Sequence, residues 1–118
     1  MTMSEIQARV MFQTVNDMDD IGDFLPHLDG YINAGYDELY FACRGAHPEK
    51  MLIDAEDAPE LPEWMHPAIA DYATWLIYRN GNAVKQQRGM TFLSSFNDYK
   101  RRATLAEGRA TFKNHLKA

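Results

Sequence analysis

Apolar residues recur at helical spacing in the first part of the chain and predict two helices. Residues 2–15 open with Thr2-Met3-Ser4-Glu5, which fits a capping box, and Ile6 and Val10 then share one face. Residues 24–44 carry apolar side chains at intervals of three or four, which makes an amphipathic stripe. The members of that stripe are Leu25, Leu28, Ile32, Tyr36 and Leu39.

Two further helices are predicted over residues 62–79 and from residue 82 to about residue 103. Asn80-Gly81 ends the third helix, because glycine readily takes the left-handed conformation that closes a helix. A connection of so few residues forces antiparallel packing. The buried side of the fourth helix is predicted to include Val84, Gly89, Phe92, Leu93, Phe96, Tyr99 and Ala103. Lys85 and Arg88 are expected mostly on its other side.

Residues 45–62 are irregular, since Gly45 and three prolines punctuate them. Within them, residues 51–53 either pair as a short strand or plug a gap in the core. The predicted fold class is therefore all-α, a four-helix bundle with that short strand as an option. Residues 1–103 are predicted to form the helical domain. Residues 104–118 are predicted to form a basic C-terminal arm, either helical or extended.

Length and composition fit one soluble domain. The 118 residues suffice for a single modest core, and the only cysteine, Cys43, excludes an intrachain disulfide and favours a reducing compartment. No apolar run approaches the roughly 20 residues that cross a bilayer. The first residues lack the basic-then-apolar order of a signal peptide. Synthesis in the cytoplasm, without membrane association, is the expectation.

Charge divides the chain into two unequal parts. Residues 1–84 contain 15 acids and 4 Lys or Arg, whereas residues 85–118 contain 2 acids and 8 Lys or Arg. Such polarity indicates that the two parts meet different surfaces. Nucleic acid at the basic end is one candidate, and a neighbouring copy of the chain, meeting basic end with acidic part, is another.

The residue types of catalysis and metal binding lack suitable spacing. The four histidines never stand at the i, i+4 interval of a helical zinc site. Asp17, Asp19, Asp20 and Gly22 suggest a calcium loop, but Ile21 and Leu28 occupy positions where the EF-hand pattern needs oxygen ligands. No phosphate-binding glycine motif occurs, and Cys43 is interpreted as a small buried hydrophobe. We therefore predict no catalytic, metal-binding or cofactor-binding residues, no cofactor and no enzymatic activity.

A basic tract near the C-terminus suggests an alternative function. Lys100, Arg101 and Arg102 begin it, and Tyr99 and Phe112 supply aromatic side chains. Such a tract could make this a small helical regulatory protein that binds nucleic acid. A dedicated DNA-binding domain is usually basic overall, however, and the pI of this chain is about 5.2. A solvated helix end is the simpler interpretation.

The packing motifs resemble those of a known family. Residues 61–102 contain Leu-Pro-Glu-Trp-Met-His-x-Ala, an aromatic-rich helix, Asn-Gly-Asn, and Gln-Gln-Arg-Gly-Met-x-Phe-Leu-x-x-Phe. Residues 31–39 read Tyr-Ile-Asn-Ala-Gly-Tyr-Asp-Glu-Leu, and Gly35 interrupts the pattern Tyr-Ile-Asn-x-Ala. These patterns resemble the small head–tail adaptor (connector) proteins of tailed bacteriophages. The similarity covers most of residues 2–103 and carries no catalytic signature.

This resemblance implies a virion structural protein in the neck. The subunit would assemble into a ring, commonly a dodecamer, that joins the portal protein to tail or nozzle proteins. DNA would pass through the channel without sequence-specific binding. The implied portal- or subunit-binding residues are Lys100, Arg101, Arg102, Arg109, Phe112, Lys113, Leu116 and Lys117. The candidate tail- or neighbour-contact residues are Met51, Leu52, Ile53, Asp54, Glu56 and Asp57. The long acidic segment 45–62 departs from the family pattern, so its contacts cannot be transferred.

Overall fold

The four predicted helices are present. The computed structural model describes residues 1–18 and 21–117, with the helical backbone alone for residues 107–117. The helices are α1 (Met3–Thr14), α2 (Leu28–Arg44), α3 (His66–Tyr78) and α4 (Ala83–Lys117). Short 3₁₀ turns follow α1 at Val15–Asp17 and open α2 and α3 at Leu25–His27 and Glu63–Met65. No strand occurs in the described ranges, which confirms the all-α class.

Local capping residues set the helix ends. At α1 the Thr2 hydroxyl accepts from the Glu5 amide at 3.3 Å and the Glu5 carboxylate accepts from the Thr2 amide at 3.0 Å, so the predicted capping box is confirmed. Gly45 closes α2 with φ of 70° and donates its N–H to the Phe41 carbonyl at 2.8 Å. At the start of α4, the Asn82 side chain accepts from the Lys85 amide at 3.0 Å.

Helix α3 is the centre of the bundle and packs against the other three helices. Ten of its 13 residues are buried. Two glycines on neighbouring helices allow the close packing. A Cβ at Gly35 of α2 would stand 3.0 Å from the Cβ of Tyr72, and a Cβ at Gly89 of α4 would stand 2.7 Å from the Cβ of Tyr78. A larger residue at Gly89 would clash with α3, and one at Gly35 would force its neighbours on α3 to shift.

The buried side of α4 differs from the prediction at its first turn. Val84 is 61% exposed, whereas Lys85 is 8% exposed. The inward stripe alternates steps of four and three residues through Lys85, Gly89, Phe92, Phe96, Tyr99 and Ala103. The prediction was wrong here because Lys85 finds a buried carboxylate, which compensates for the burial of its charge.

Gly81 ends α3 for a different reason than predicted. Its φ is not positive, so the left-handed cap expected there is absent. A Cβ on Gly81 would instead lie 2.7 Å from the Cβ of Lys85. Glycine is needed at this turn because α4 begins so close to the end of α3.

The optional strand at 51–53 is also absent, and Leu52 fills a gap in the core instead. Its side chain is 4% exposed, while Met51 and Ile53 on either side are 51% and 77% exposed. The Asn33 side chain pairs with Leu52 as a strand would, accepting from its N–H at 2.7 Å and donating to its carbonyl at 2.9 Å. A side chain of α2 therefore satisfies backbone groups that no neighbouring strand can reach.

Helix α4 exceeds its neighbours in length. Its 35 residues correspond to about 52 Å of helix, against about 20 Å for α3. The molecule accordingly measures 56 × 30 × 19 Å. Ala103 is the last buried residue among the described side chains, and the helical backbone continues for 14 residues beyond it.

Candidate interaction surfaces

The positively charged part of α4 that begins at Lys100, Arg101 and Arg102 is called here the basic exit. It lies at the end of the bundle where α3 starts. Tyr99 stacks on Trp64 with ring centroids 6.4 Å apart, and the Arg102 guanidinium lies 5.2 Å from the Tyr99 centroid. The Lys100 ammonium stands 5.7 Å from the Phe96 ring. Thr104 donates to the Ala42 carbonyl at 3.5 Å, which ties α4 to the last turn of α2. Aromatic packing and cation–π contacts therefore fix the direction in which α4 leaves the core.

Asp98 offsets part of the positive charge of this exit. Its carboxylate accepts from Arg101 and, at 2.9 Å, from Arg102. The Arg102 hydrogen bond in particular lowers the pKa of Asp98, with Arg101 contributing. Both guanidinium groups remain more than half exposed, at 72% and 58%. Since a guanidinium has five N–H donors, each can still bind an outside acceptor.

Five other predicted portal- or subunit-binding residues lie outside the described side chains. These residues are Arg109, Phe112, Lys113, Leu116 and Lys117. Their backbone belongs to α4, so residues 104–117 continue the helix rather than an extended strand. The structure thus selects the helical form of the predicted arm.

The candidate contact loop, residues 51–57, contains some residues with a structural role and others that remain exposed. Leu52 is buried, and Asp57 organises the turn by accepting from the amides of Ile53 at 2.9 Å and Asp54 at 2.8 Å. These two backbone donors, the Asp54 amide first, lower the pKa of Asp57. The loop also caps α1, since the Met3 and Ser4 amides donate to loop carbonyls at 2.7 and 3.0 Å. Among the candidates, Met51, Ile53, Asp54 and Glu56 remain exposed for a partner.

An open groove of about 630 Å³ runs between this loop and the outer side of α2. Its α2 side includes Gly30, Ala34 and Asp37, and its loop side includes His47, Glu49 and Met51. The His47 ring is held at 2.6 Å from the Asp37 carboxylate and packs in a tilted arrangement against Phe41, with ring centroids 5.2 Å apart. The groove thus combines small and apolar side chains with two carboxylates.

Sequence reasoning missed an uncharged face on α4. Its outward positions, opposite the buried stripe, are Gln87, Met90, Thr91, Ser94 and Asn97, and all five are exposed. Between Lys85 and Asp98 the only charged residue is Arg88, in a protein with 25% charged residues. Arg88 turns to the Asp17 carboxylate. The signal was present in the sequence as a charge-poor segment from residue 86 to residue 97.

A buried ionic cluster at the opposite end was also missed. Asp17 is 6% exposed and accepts from the Tyr78 hydroxyl, the Lys85 ammonium and an Arg88 N–H. These donors, Lys85 first, lower the pKa of Asp17 to about 2. Burial and the bond to Asp17 raise the pKa of Tyr78 to about 12. Asp17 belongs to the acidic segment that suggested a calcium loop, and Asp19 and Asp20 of that segment lie outside the described residues.

A second polar network joins α1, α3 and α4. Asp71, 5% exposed, accepts from Gln13 at 3.0 Å and from the Ser95 hydroxyl at 2.8 Å. Thr74 donates to the other end of the Gln13 amide at 2.6 Å. Its polar atoms are mutually satisfied, so the network positions three helices relative to one another.

Cys43 and His66 are occupied by structural contacts. The Cys43 thiol lies 3.9 Å from the Met65 sulfur, and the buried His66 ring holds the Leu61 carbonyl at 2.7 Å. Within the described residues, no cluster of three or more His, Cys, Asp or Glu could hold a metal ion. No helix of the described part is long and apolar enough to span a membrane.

Comparison of the chain with protein-family models, curated proteins and solved structures finds no significant match.

Proposed function

We propose that this chain is a structural subunit of a bacteriophage neck, a head–tail adaptor that assembles into a ring between portal and tail. The proposal rests on the packing motifs of residues 61–102 and on the long helix α4. One observation carries most weight, namely that α4 continues for 14 residues past Ala103, the last buried position described. That extension corresponds to about 21 Å of helix.

A helix that continues past the last buried residue described suits a contact with another subunit. An isolated stretch of this length is marginal in water, so packing against a partner would stabilise it. Its sequence is basic, with Arg109, Lys113 and Lys117 against a single acid, Glu107. The proposed partner of this extension is the portal protein, which would present acidic or polar groups to it.

The candidate loop lies near the same end of the bundle as the basic exit. Loop carbonyls receive the first amides of α1, and Trp64 at the start of α3 stacks on Tyr99 of α4. A tail protein would bind on the side of the ring away from the portal. The loop is therefore better placed for a neighbouring adaptor subunit than for the tail, which narrows the role proposed for Met51, Ile53, Asp54 and Glu56.

The test is assembly, measured with and without portal particles. Light scattering and negative-stain electron microscopy of the purified protein should show a ring, either alone or on added portals. The triple variant Arg109→Glu/Lys113→Glu/Lys117→Glu should lose portal binding. The matched variant Arg9→Glu, which reverses an exposed charge on α1, should retain it. A protein that stays monomeric and ignores portal particles would overturn the proposal.

A further inference from the structure

The groove beside α2 is shaped to admit a helix. Gly30 and Ala34 stand one turn apart on its α2 side, and a Cβ built on Gly30 meets no atom within 4 Å. Helices approach to about 8–10 Å between axes, and the distance shortens where the side chains at the contact are small. A partner helix could therefore lie close against α2 at this position.

The groove is preformed rather than created by binding. Asn33 holds Leu52 through two hydrogen bonds, and Asp57 holds the turn that follows. His47 is fixed against Asp37 on the same wall. A partner would therefore bind without first ordering the loop, which removes one of the entropic costs of association.

The charges at the groove select a basic partner. Asp37, which holds the His47 ring, and Glu49 are the carboxylates that line it, and no Lys or Arg belongs to the lining. Glu49 is exposed. A helix that presents an uncharged face followed by a cation would match this pattern, because interface centres are depleted of charge and opposite charges fix the register.

The outward face of α4 has this pattern. Gln87, Met90, Ser94 and Asn97 form its uncharged part, and Arg101 follows one turn later with 72% of its side chain exposed. Methionine and arginine are both enriched at interfaces. The face spans about four turns, so it could contact α2 along the groove while Arg101 reaches the carboxylates.

We infer that the groove formed by α2 and residues 47–51 binds the outward face of α4 from a second copy of this chain. This inference rests on the proposed ring, since it names the contact between adjacent subunits. The two surfaces differ, so the contact is heterologous, and each subunit offers one surface to each neighbour. Repetition of such a contact closes into a ring when the rotation between subunits permits.

A charge swap tests the contact. Glu49→Arg and Arg101→Glu should each raise the concentration needed for half-assembly about tenfold or more, and the double variant should recover most of that loss. Glu38→Arg, at an exposed position of α2 outside the groove lining, should assemble like the parent protein. Two single variants that both assemble normally would overturn the inference while leaving a ring-forming adaptor intact.

A steric variant tests the groove independently of charge. Gly30→Leu should fold, because its side chain enters open space, and should abolish assembly by filling the groove. Gly30→Ala is the matched control and should still assemble. Circular dichroism and thermal melting establish that both variants are folded. Normal rings from Gly30→Leu would exclude the groove as the contact, and failure of the parent protein to assemble even on portals would overturn both proposals.

Discussion

Asp17 and Lys85 form a buried ion pair although 68 residues separate them. Their side chains are 7% and 10% exposed, and Asp17 also accepts from Tyr78 and Arg88. One carboxylate thus ties the segment after α1 to both helices of the α3–α4 hairpin. This pair stabilises the end of the bundle opposite the basic exit.

Removal of the Asp17 charge should destabilise the fold. In Asp17→Asn the amide keeps the shape of the side chain but no longer compensates the buried Lys85 ammonium, so we expect a loss of about 3 kcal/mol of unfolding free energy. Urea denaturation followed by circular dichroism measures it. Asp23→Asn changes an exposed acid nearby and should cost less than about 0.5 kcal/mol. Equal losses in the two variants would contradict the role assigned to Asp17.

The same cluster predicts how stability depends on pH. The pKa of Asp17 falls from 3.8 to about 2 on folding, so its contribution is present above the unfolded value and is lost as the pH falls through about 2. The stability of the parent protein should therefore decline more steeply on acidification than that of Asp17→Asn. Urea midpoints measured from neutral pH down to the lowest pH at which the protein still folds test this. If the midpoints of the two proteins changed in parallel with pH, the prediction would be contradicted.

At alkaline pH, Tyr78 determines whether stability rises or falls with pH. Its pKa rises from 10.0 to about 12, so the folded state keeps the phenol proton that the unfolded state releases. The stabilising contribution is complete below the unfolded pKa and is lost as the pH rises through about 12. Tyr78→Phe removes this titration, so the difference in urea midpoint between parent and variant should narrow in strongly alkaline buffer. A constant difference would show that Tyr78 does not contribute to the pH dependence.

Two glycines of α2 should respond oppositely to alanine. Gly30 faces open space, so Gly30→Ala should stabilise the protein by about 0.5–1 kcal/mol through helix propensity. A Cβ at Gly35 would meet the Tyr72 Cβ at 3.0 Å and the Ile69 carbonyl at 3.1 Å, so Gly35→Ala should cost about 1–3 kcal/mol. Thermal unfolding of the two variants gives the comparison. A shift of both melting temperatures in the same direction would contradict the packing described here.

Local signals carried the prediction of the helices. The Thr2–Glu5 capping box and the 3–4 spacing in α2 depend on neighbours within a turn or two. The box and the buried stripe from Leu28 to Leu39 are confirmed, whereas Leu25, predicted to begin that stripe, lies in the 3₁₀ turn before α2 and is 55% exposed. Asp17 and Lys85 could not be placed in this way. Each looks like a surface charge from its neighbours in sequence, and only the packing of distant segments buries them together.

The candidate site was predictable to a similar degree. The sequence indicated the basic exit of α4 and the loop as surfaces, but it could not separate the exposed Ile53 from the buried Leu52, because Asn33 makes that distinction from another element. The groove could not be predicted either, because it depends on where residues 47–51 lie along α2. The uncharged face of α4 was readable in principle, once the inward stripe had been located correctly.

Asn33 therefore offers the sharpest test of the loop. Asn33→Ala would leave the Leu52 N–H and carbonyl without their side-chain partner, at a cost of about 1–3 kcal/mol, and should speed proteolysis within residues 45–62. Asn33→Asp keeps the acceptor for the N–H but turns a carboxylate oxygen toward the Leu52 carbonyl, where two acceptors repel, so it should also destabilise the loop. Asn16→Ala, at an exposed site, is the control and should leave both measurements unchanged. If the loop of Asn33→Ala resisted protease as well as that of the parent, the loop would be held by contacts other than Asn33, and the groove would not depend on this side chain.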